Sequence, residues 1–158
     1  MNQDVERKLR EMNISFPPIT PKAVGNYVPW VISGNMVYTS GQLPWKDGEY
    51  GNLAFKGKVG LDVTIEEGYI CAKICALNAI AQLKDAVGDL NQIQKIVRID
   101  GHIQAAEGFS AHSDVLDGAS DIFNEVFGVK GLHTRSALGI SQAPLDAPVL
   151  IYVIAEIV

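Results

Sequence analysis

Apolar and polar positions alternate along this chain with two different periods, and the period changes mark out its elements. Val5, Leu9 and Met12 recur at helical spacing within a charged stretch, which predicts a short helix over 4–12. Phe16-Pro17-Pro18 and Pro21 end any helix there. Two β-rich runs, Tyr27 to Ile32 and Met36 to Thr39, flank Ser33-Gly34-Asn35 and predict a hairpin. Pro29 lacks a backbone N–H, so the first run belongs at a sheet edge or a bulge. Tyr50 to Val59 reads as a third strand or a loop. Thr64-Ile65-Glu66-Glu67 is a capping box, and it opens a long helix through Tyr69, Ile70, Ile74, Leu77, Ile80, Leu83 and Val87. Gly88 is its natural stop.

The period then drops to two. Val97, Ile99, Gly101 and Ile103 alternate with Arg98, Asp100, His102 and Gln104, the pattern of a half-buried strand. A second amphipathic helix is expected over 114–127, with Val115, Ala119, Ile122, Phe123 and Val126 on one stripe and Gly128 at its end. Strands over 135–140 and 149–158 complete the chain. Strands cluster towards both ends and helices between them, so the class is α+β rather than a regular α/β winding. The 158 residues suit one domain, with 1–20 as a helix and Pro-rich extension.

Composition removes several functions. The longest apolar run, Val149 to Ala155, is far short of the roughly 20 residues a membrane helix needs. The charged start Met-Asn-Gln-Asp has no apolar signal core, which predicts a cytoplasmic protein. A net charge of −5 disfavours a broad nucleic-acid surface. Cys71 and Cys75 lie one helical turn apart among Ile70, Ile74 and Leu77, so both are expected reduced and buried. Gly51 to Lys58 misses the phosphate-loop spacing by one residue and has Val59 where a hydroxyl is needed. His102, His112 and His133 show no metal-ligand spacing, and His112-Ser113-Asp114 reads as a solvated, capped helix start. No metal or other cofactor is predicted.

Two segments are odd for scaffold. Thr39-Ser40-Gly41-Gln42-Leu43-Pro44 ends a strand in small and polar residues. His133-Thr134-Arg135-Ser136-Ala137-Leu138-Gly139 opens a strand with a cation between small residues. An arginine there is either a surface residue or a planar fork for a carboxylate.

At these residues, and at Gly25-Asn26-Tyr27 and the strand after Pro144, the sequence resembles the Rid family, also called YjgF or L-PSP endoribonuclease-like. It looks like a longer RidA-like branch, and the resemblance covers about residues 20–158. It implies a chorismate-mutase-like fold with a mixed six-stranded sheet and two main helices on one face, besides the short N-terminal helix. It implies a homotrimer with pockets at the subunit interfaces. The activity implied is hydrolysis of enamines and imines such as 2-aminoacrylate to 2-keto acids and ammonia. Alternatives are a non-catalytic small-carboxylate-binding regulatory trimer or an endoribonuclease. Carried over by position, Arg135 would be catalytic and hold the substrate carboxylate, and Tyr27 would line the pocket. Ser40 and Gly41 would lie near the ligand, Ser120 would take the place of a helical Asn, and backbone groups beside Ala137 would orient water. Active deaminases of the family carry a Glu six residues after the Pro on the last strand; Leu150 stands there, and Ala137 replaces a frequent Cys. Leucine can neither protonate nitrogen nor polarise water.

Overall fold

The computed structural model describes residues 4–17 and 19–158. Pro18, part of the predicted Pro-rich break, lies outside the described residues, as do the first three residues. The elements are α1 (Val5–Glu11), β1 (Trp30–Ser33), β2 (Met36–Thr39), α2 (Ile65–Val87), β3 (Ile93–Gln104), α3 (His112–Phe127), β4 (Thr134–Ile140) and β5 (Val149–Ile157). The sheet runs β1-β2-β5-β3-β4, with β3 and β4 parallel and every other pair antiparallel. The fold is α+β, and α2 and α3 pack side by side on one face of the sheet.

Local chemistry explains the boundaries. Thr64 accepts the Glu67 amide at 3.1 Å and starts α2. Gly88 ends α2 with φ at +78°, a conformation that costs a side chain dearly. Gly34 closes the β1–β2 hairpin, also at positive φ, and Ser33 pairs with Met36. The first strand begins only at Trp30, because Pro29 has no N–H for the ladder and instead accepts the Ser40 amide through its carbonyl.

Three expectations need correction. The sheet has five strands among the described residues, not six. The stretch 50–59 makes only isolated bridges, Trp45 with Leu53 and Val59 with Val63 and Ala105, because Gly51, Gly57 and nearby Gly60 take positive φ and interrupt extension. The central strand starts at Ile93 rather than Val97: Leu90–Gln92 forms a single tight turn that delivers the chain directly into the ladder. Helix α3 starts at His112, and its cap residue Ala111 makes no side-chain bond. Ser113 and Asp114 therefore lie inside the first turn rather than capping it, while His112 packs edge-on against Phe109.

The register sorts the sheet into two faces. Ile99, Gly101 and Ile103 of β3 stand opposite Val153, Ile151 and Val149 of β5, and all point towards the helices. Arg135 and Ala137 pair with Ile99 and Gly101, so they share this helix-covered face. The other face carries Val31, Tyr38, Tyr152 and Leu138, all exposed. Gly118 lets α3 approach α2 closely, since a Cβ there would overlap the Tyr69 carbonyl.

Cys71 and Cys75 are fully buried beneath the sheet. Burial pushes the Cys71 thiol up to about 12, and raises Cys75 as well. Cys75 Sγ also faces the Val149 carbonyl at 3.6 Å. A bulky thiol reagent at neutral pH should therefore leave both unlabelled over hours in the native protein and label both after denaturation. Fast labelling of either in the native state would contradict their placement.

Candidate functional site

Arg135 opens an edge strand with its side chain directed at the helix layer, where a lone cation would be costly. Helix α3 meets it with polar groups. Arg135 Nη1 donates to Ser120 Oγ at 2.9 Å and lies 2.8 Å from Asp117 Oδ1; Nη2 donates to the Ser113 carbonyl at 3.4 Å. The arginine side chain is 24% exposed and Asp117 49%, so the pair is half-solvated and the guanidinium remains reachable from outside. Around it lies a cleft of about 380 Å³ lined by Asp117, Ser120, Asp121, Asn124, His133 and Arg135, together with Leu132.

Ser120 is the hub of this cleft. It accepts from Arg135 and sits 2.9 Å from His133 Nε2. The opposite ring nitrogen, Nδ1, lies 2.6 Å from the Gly131 carbonyl. A carbonyl only accepts, so Nδ1 carries a hydrogen and the neutral ring offers its lone pair at Nε2. Arginine only donates, so the single hydroxyl hydrogen of Ser120 then points to His133. Asp121 accepts the Tyr69 hydroxyl at 2.7 Å. That bond, helped by partial burial and neighbouring carboxylates, raises the Tyr69 pKa and keeps the phenol a donor.

Tyr27, Ser40 and Gly41 meet elsewhere. They line a cleft of about 440 Å³ with Val24, Leu43, Leu150 and Tyr152. Ser40 Oγ donates to the Val28 carbonyl at 2.7 Å, and the Tyr27 hydroxyl accepts the Val24 amide at 3.3 Å. This cleft opens on the face away from the helices: Tyr38 pairs with Ile154, placing both with Tyr152 and Leu150 on that face. A Cβ on Gly41 would touch Tyr152 and Leu150 at 3.2–3.3 Å, which puts Gly41 at the cleft wall.

The six expected site residues therefore fall into two groups. Arg135 and Ser120 are joined directly, and Ala137 shares their strand face but packs against the core. Tyr27, Ser40 and Gly41 lie beyond β5 and β3, three strand spacings or about 14 Å across the sheet, and on its opposite face. No rotation of side chains within one chain unites them. Leu150 is 6% exposed and packs with Ala143 and Ala147, so it presents only methyl groups to the second cleft. Among the described residues, no group of three or more His, Cys, Asp and Glu is gathered as a metal site.

Asp117, Asp121 and His133 were not anticipated as site residues. A signal existed: Asp117, Ser120, Asp121 and Asn124 recur at helical spacing, forming a polar stripe on α3 beside its apolar one. The sequence pattern does not say which strand that stripe meets.

Residues 6–157 match the family described as YjgF/chorismate mutase-like, putative endoribonuclease, and the chain belongs to that family. It is 34% identical over 154 residues to Protein TCP17 of Trypanosoma cruzi, spanning 97% of this chain and 94% of that one. A Shewanella oneidensis MR-1 structure, described as a putative endoribonuclease, is 37% identical, with TM-score 0.92 over 98% of this chain and 100% of that one. Atu1372 of Agrobacterium tumefaciens, of unknown function, is 36% identical, with TM-score 0.88 over 98% and 92%. The fold is thus the YjgF chorismate-mutase-like one. No helix among the described residues is long and apolar enough to cross a membrane.

Asp117 already occupies the Arg135 cation, so any anion entering this cleft would compete with it. Asp117→Asn should keep the side-chain shape, remove the competing charge and tighten pyruvate binding by about three- to tenfold. Calorimetry reads this directly; weaker binding would mean that Asp117 holds Arg135 in its productive pose.

Proposed function

We propose that this chain binds small carboxylic acids of the 2-keto or imino acid type at Arg135, in a pocket shared between neighbouring copies of a homotrimer. The observation that carries the reading is the split site. One chain holds a half-exposed guanidinium at one edge of the sheet, and a separate cleft of Tyr27, Ser40, Gly41 and Leu43 on the other face. Each half is open, and neither has enough walls to enclose a ligand. Rotational symmetry brings an edge of one copy against a face of the next and closes both halves at once.

The surface supports such contacts. Among the described residues the edge strand β4 pairs only with β3, leaving its outer backbone groups free of the sheet. The face bearing Val31, Tyr38, Tyr152 and Leu138 is apolar enough to be covered. A planar guanidinium can grip both oxygens of a carboxylate, which a lysine cannot match.

Binding alone needs no acid at position 150. A second reading, hydrolysis of 2-aminoacrylate-like enamines and imines, is favoured by one observation: a hydroxyl tied to an imidazole stands beside Arg135. Release of ammonia and pyruvate from freshly generated 2-aminoacrylate discriminates the two readings, because a pure binding protein gives the uncatalysed rate. An endoribonuclease is the least favoured, since a net charge of −5 disfavours the broad phosphate-binding surface that RNA needs.

Calorimetry with pyruvate tests the proposal. Arg135→Lys should weaken binding about tenfold and Arg135→Ala by about a hundredfold or more, with light scattering giving a trimer mass for all three proteins. Equal affinity in wild type and Arg135→Ala refutes the site. A monomer mass at micromolar concentration refutes the shared pocket.

A further inference from the structure

We infer that His133 is a positioning residue of the Arg135 site, and that it takes up a proton when a carboxylate binds. This rests on the carboxylate-binding reading above and adds a residue and a pH dependence to it.

The argument starts from the direction of the hydrogen bonds. Gly131 O, His133, Ser120 and Arg135 form one chain with separations of 2.6, 2.9 and 2.9 Å. Its two ends have fixed roles: the carbonyl accepts and the guanidinium donates. With a neutral imidazole, the Ser120 hydrogen is committed to Nε2, and the cleft is offered no hydrogen from Ser120. With a protonated imidazole, Nε2–H donates to Ser120 Oγ instead. That oxygen then accepts from both His133 and Arg135, and its own hydrogen turns outward. Protonation thus supplies a second hydrogen-bond donor beside the guanidinium without moving a heavy atom.

Charge points the same way. The groups facing this cleft are Arg135 on β4 and Asp117 and Asp121 on α3, one cation against two carboxylates. Tyr69 of α2 reaches it only as a neutral donor to Asp121, and Glu125, further along α3, adds negative charge near that phenol. Lys130, just before His133, is turned away towards the Ile93 carbonyl at 3.3 Å. Adding a ligand carboxylate to this set is repulsive overall unless a positive charge enters with it. His133 is the imidazole in the lining, and a proton arriving at its Nε2 enters one hydroxyl away from the ligand.

The sign follows. A bound anion favours the protonated ring, so binding is strongest when His133 is protonated and is lost progressively as pH rises. The same oxygen, Ser120 Oγ, transmits both effects.

The test uses the intact protein with pyruvate as probe. Wild-type affinity should fall about tenfold between about pH 5.5 and pH 8, and calorimetry in two buffers of different ionisation enthalpy should show net uptake averaging about 0.4 proton per site across that range. His133→Gln keeps hydrogen-bonding groups but cannot titrate, and should bind with a flat pH profile. His112→Gln is the control, because His112 packs edge-on against Phe109, 5.3 Å between ring centroids, and lines neither cleft; it should retain the wild-type slope. A measurement free of variants is NMR titration of the imidazole signals, where pyruvate should shift the His133 midpoint upward. Binding that requires Arg135 but is pH-flat, an unshifted His133 midpoint, or an unchanged slope in His133→Gln overturns this inference alone. Failure of pyruvate to bind, or equal binding to Arg135→Ala, overturns the Arg135 reading and this inference together.

Discussion

The ion pair between Arg135 and Asp117 answers the hardest physical demand in this chain: a guanidinium must sit on the helix-covered face of a sheet. The pleat puts it there. Arg135 is paired with Ile99, and Ile99 belongs to the face packed under α2 and α3. Moving the strand by one residue would carry Arg135 to the open face and drive Thr134 and Ser136 inward. The register is instead held by Ala137 against Gly101, and by Thr134 Oγ1 donating to the Val97 carbonyl at 3.0 Å. On the open face, Ser136 and Arg98 both bond Asp100, each at 2.7 Å. The helix has to supply the counter-charge, so α3 carries Asp117 and Ser120 on the stripe that meets β4. Stability and recognition thus draw on the same atoms, since the groups that pair the half-exposed cation are those a ligand must displace or join.

Much of the scaffold could be read from the chain because its signals are local. Thr64, with Glu67 three residues later, fixes where α2 begins, and Gly88 fixes where it ends. The Gly34 turn and the alternation from Val97 to Ile103 act within a few residues in the same way. The side chains of 50–59 leave strand or loop open, and the positive φ of Gly51 and Gly57 makes it a loop with isolated bridges. Less legible is what depends on longer contacts. The start of α3 moved to His112, which packs on Phe109 and against Gly139, a contact no window of sequence displays.

The site was legible only in part for the same reason. The pattern around Arg135 and around Ser40-Gly41 marks residues unsuited to pure packing, and the family resemblance assigned them to one pocket. Within a single chain they occupy opposite faces, a separation that follows from strand order and is invisible in linear sequence. Asp117 and His133 were passed over because each looks ordinary alone. An aspartate on a helix and a histidine before a strand gain meaning only when Ser120 joins them to Arg135. Leu150, in turn, leaves the second cleft without an ionisable acid, and this shifts the balance from catalysis towards recognition.

The central claim is that the Arg135 half of one copy and the Gly41 half of the next form one site, and mixed oligomers test it most directly. Arg135→Ala removes one half; Gly41→Trp blocks the other, because its side chain would grow into Tyr152 and Leu150. Each variant alone should bind pyruvate more weakly than wild type, by about a hundredfold or more. After the two are unfolded together and refolded in equal amounts, about a quarter of the sites should pair an intact Arg135 with an intact Gly41 cleft and regain wild-type affinity. No recovery in mixed trimers, or full binding by either variant alone, would contradict a shared pocket.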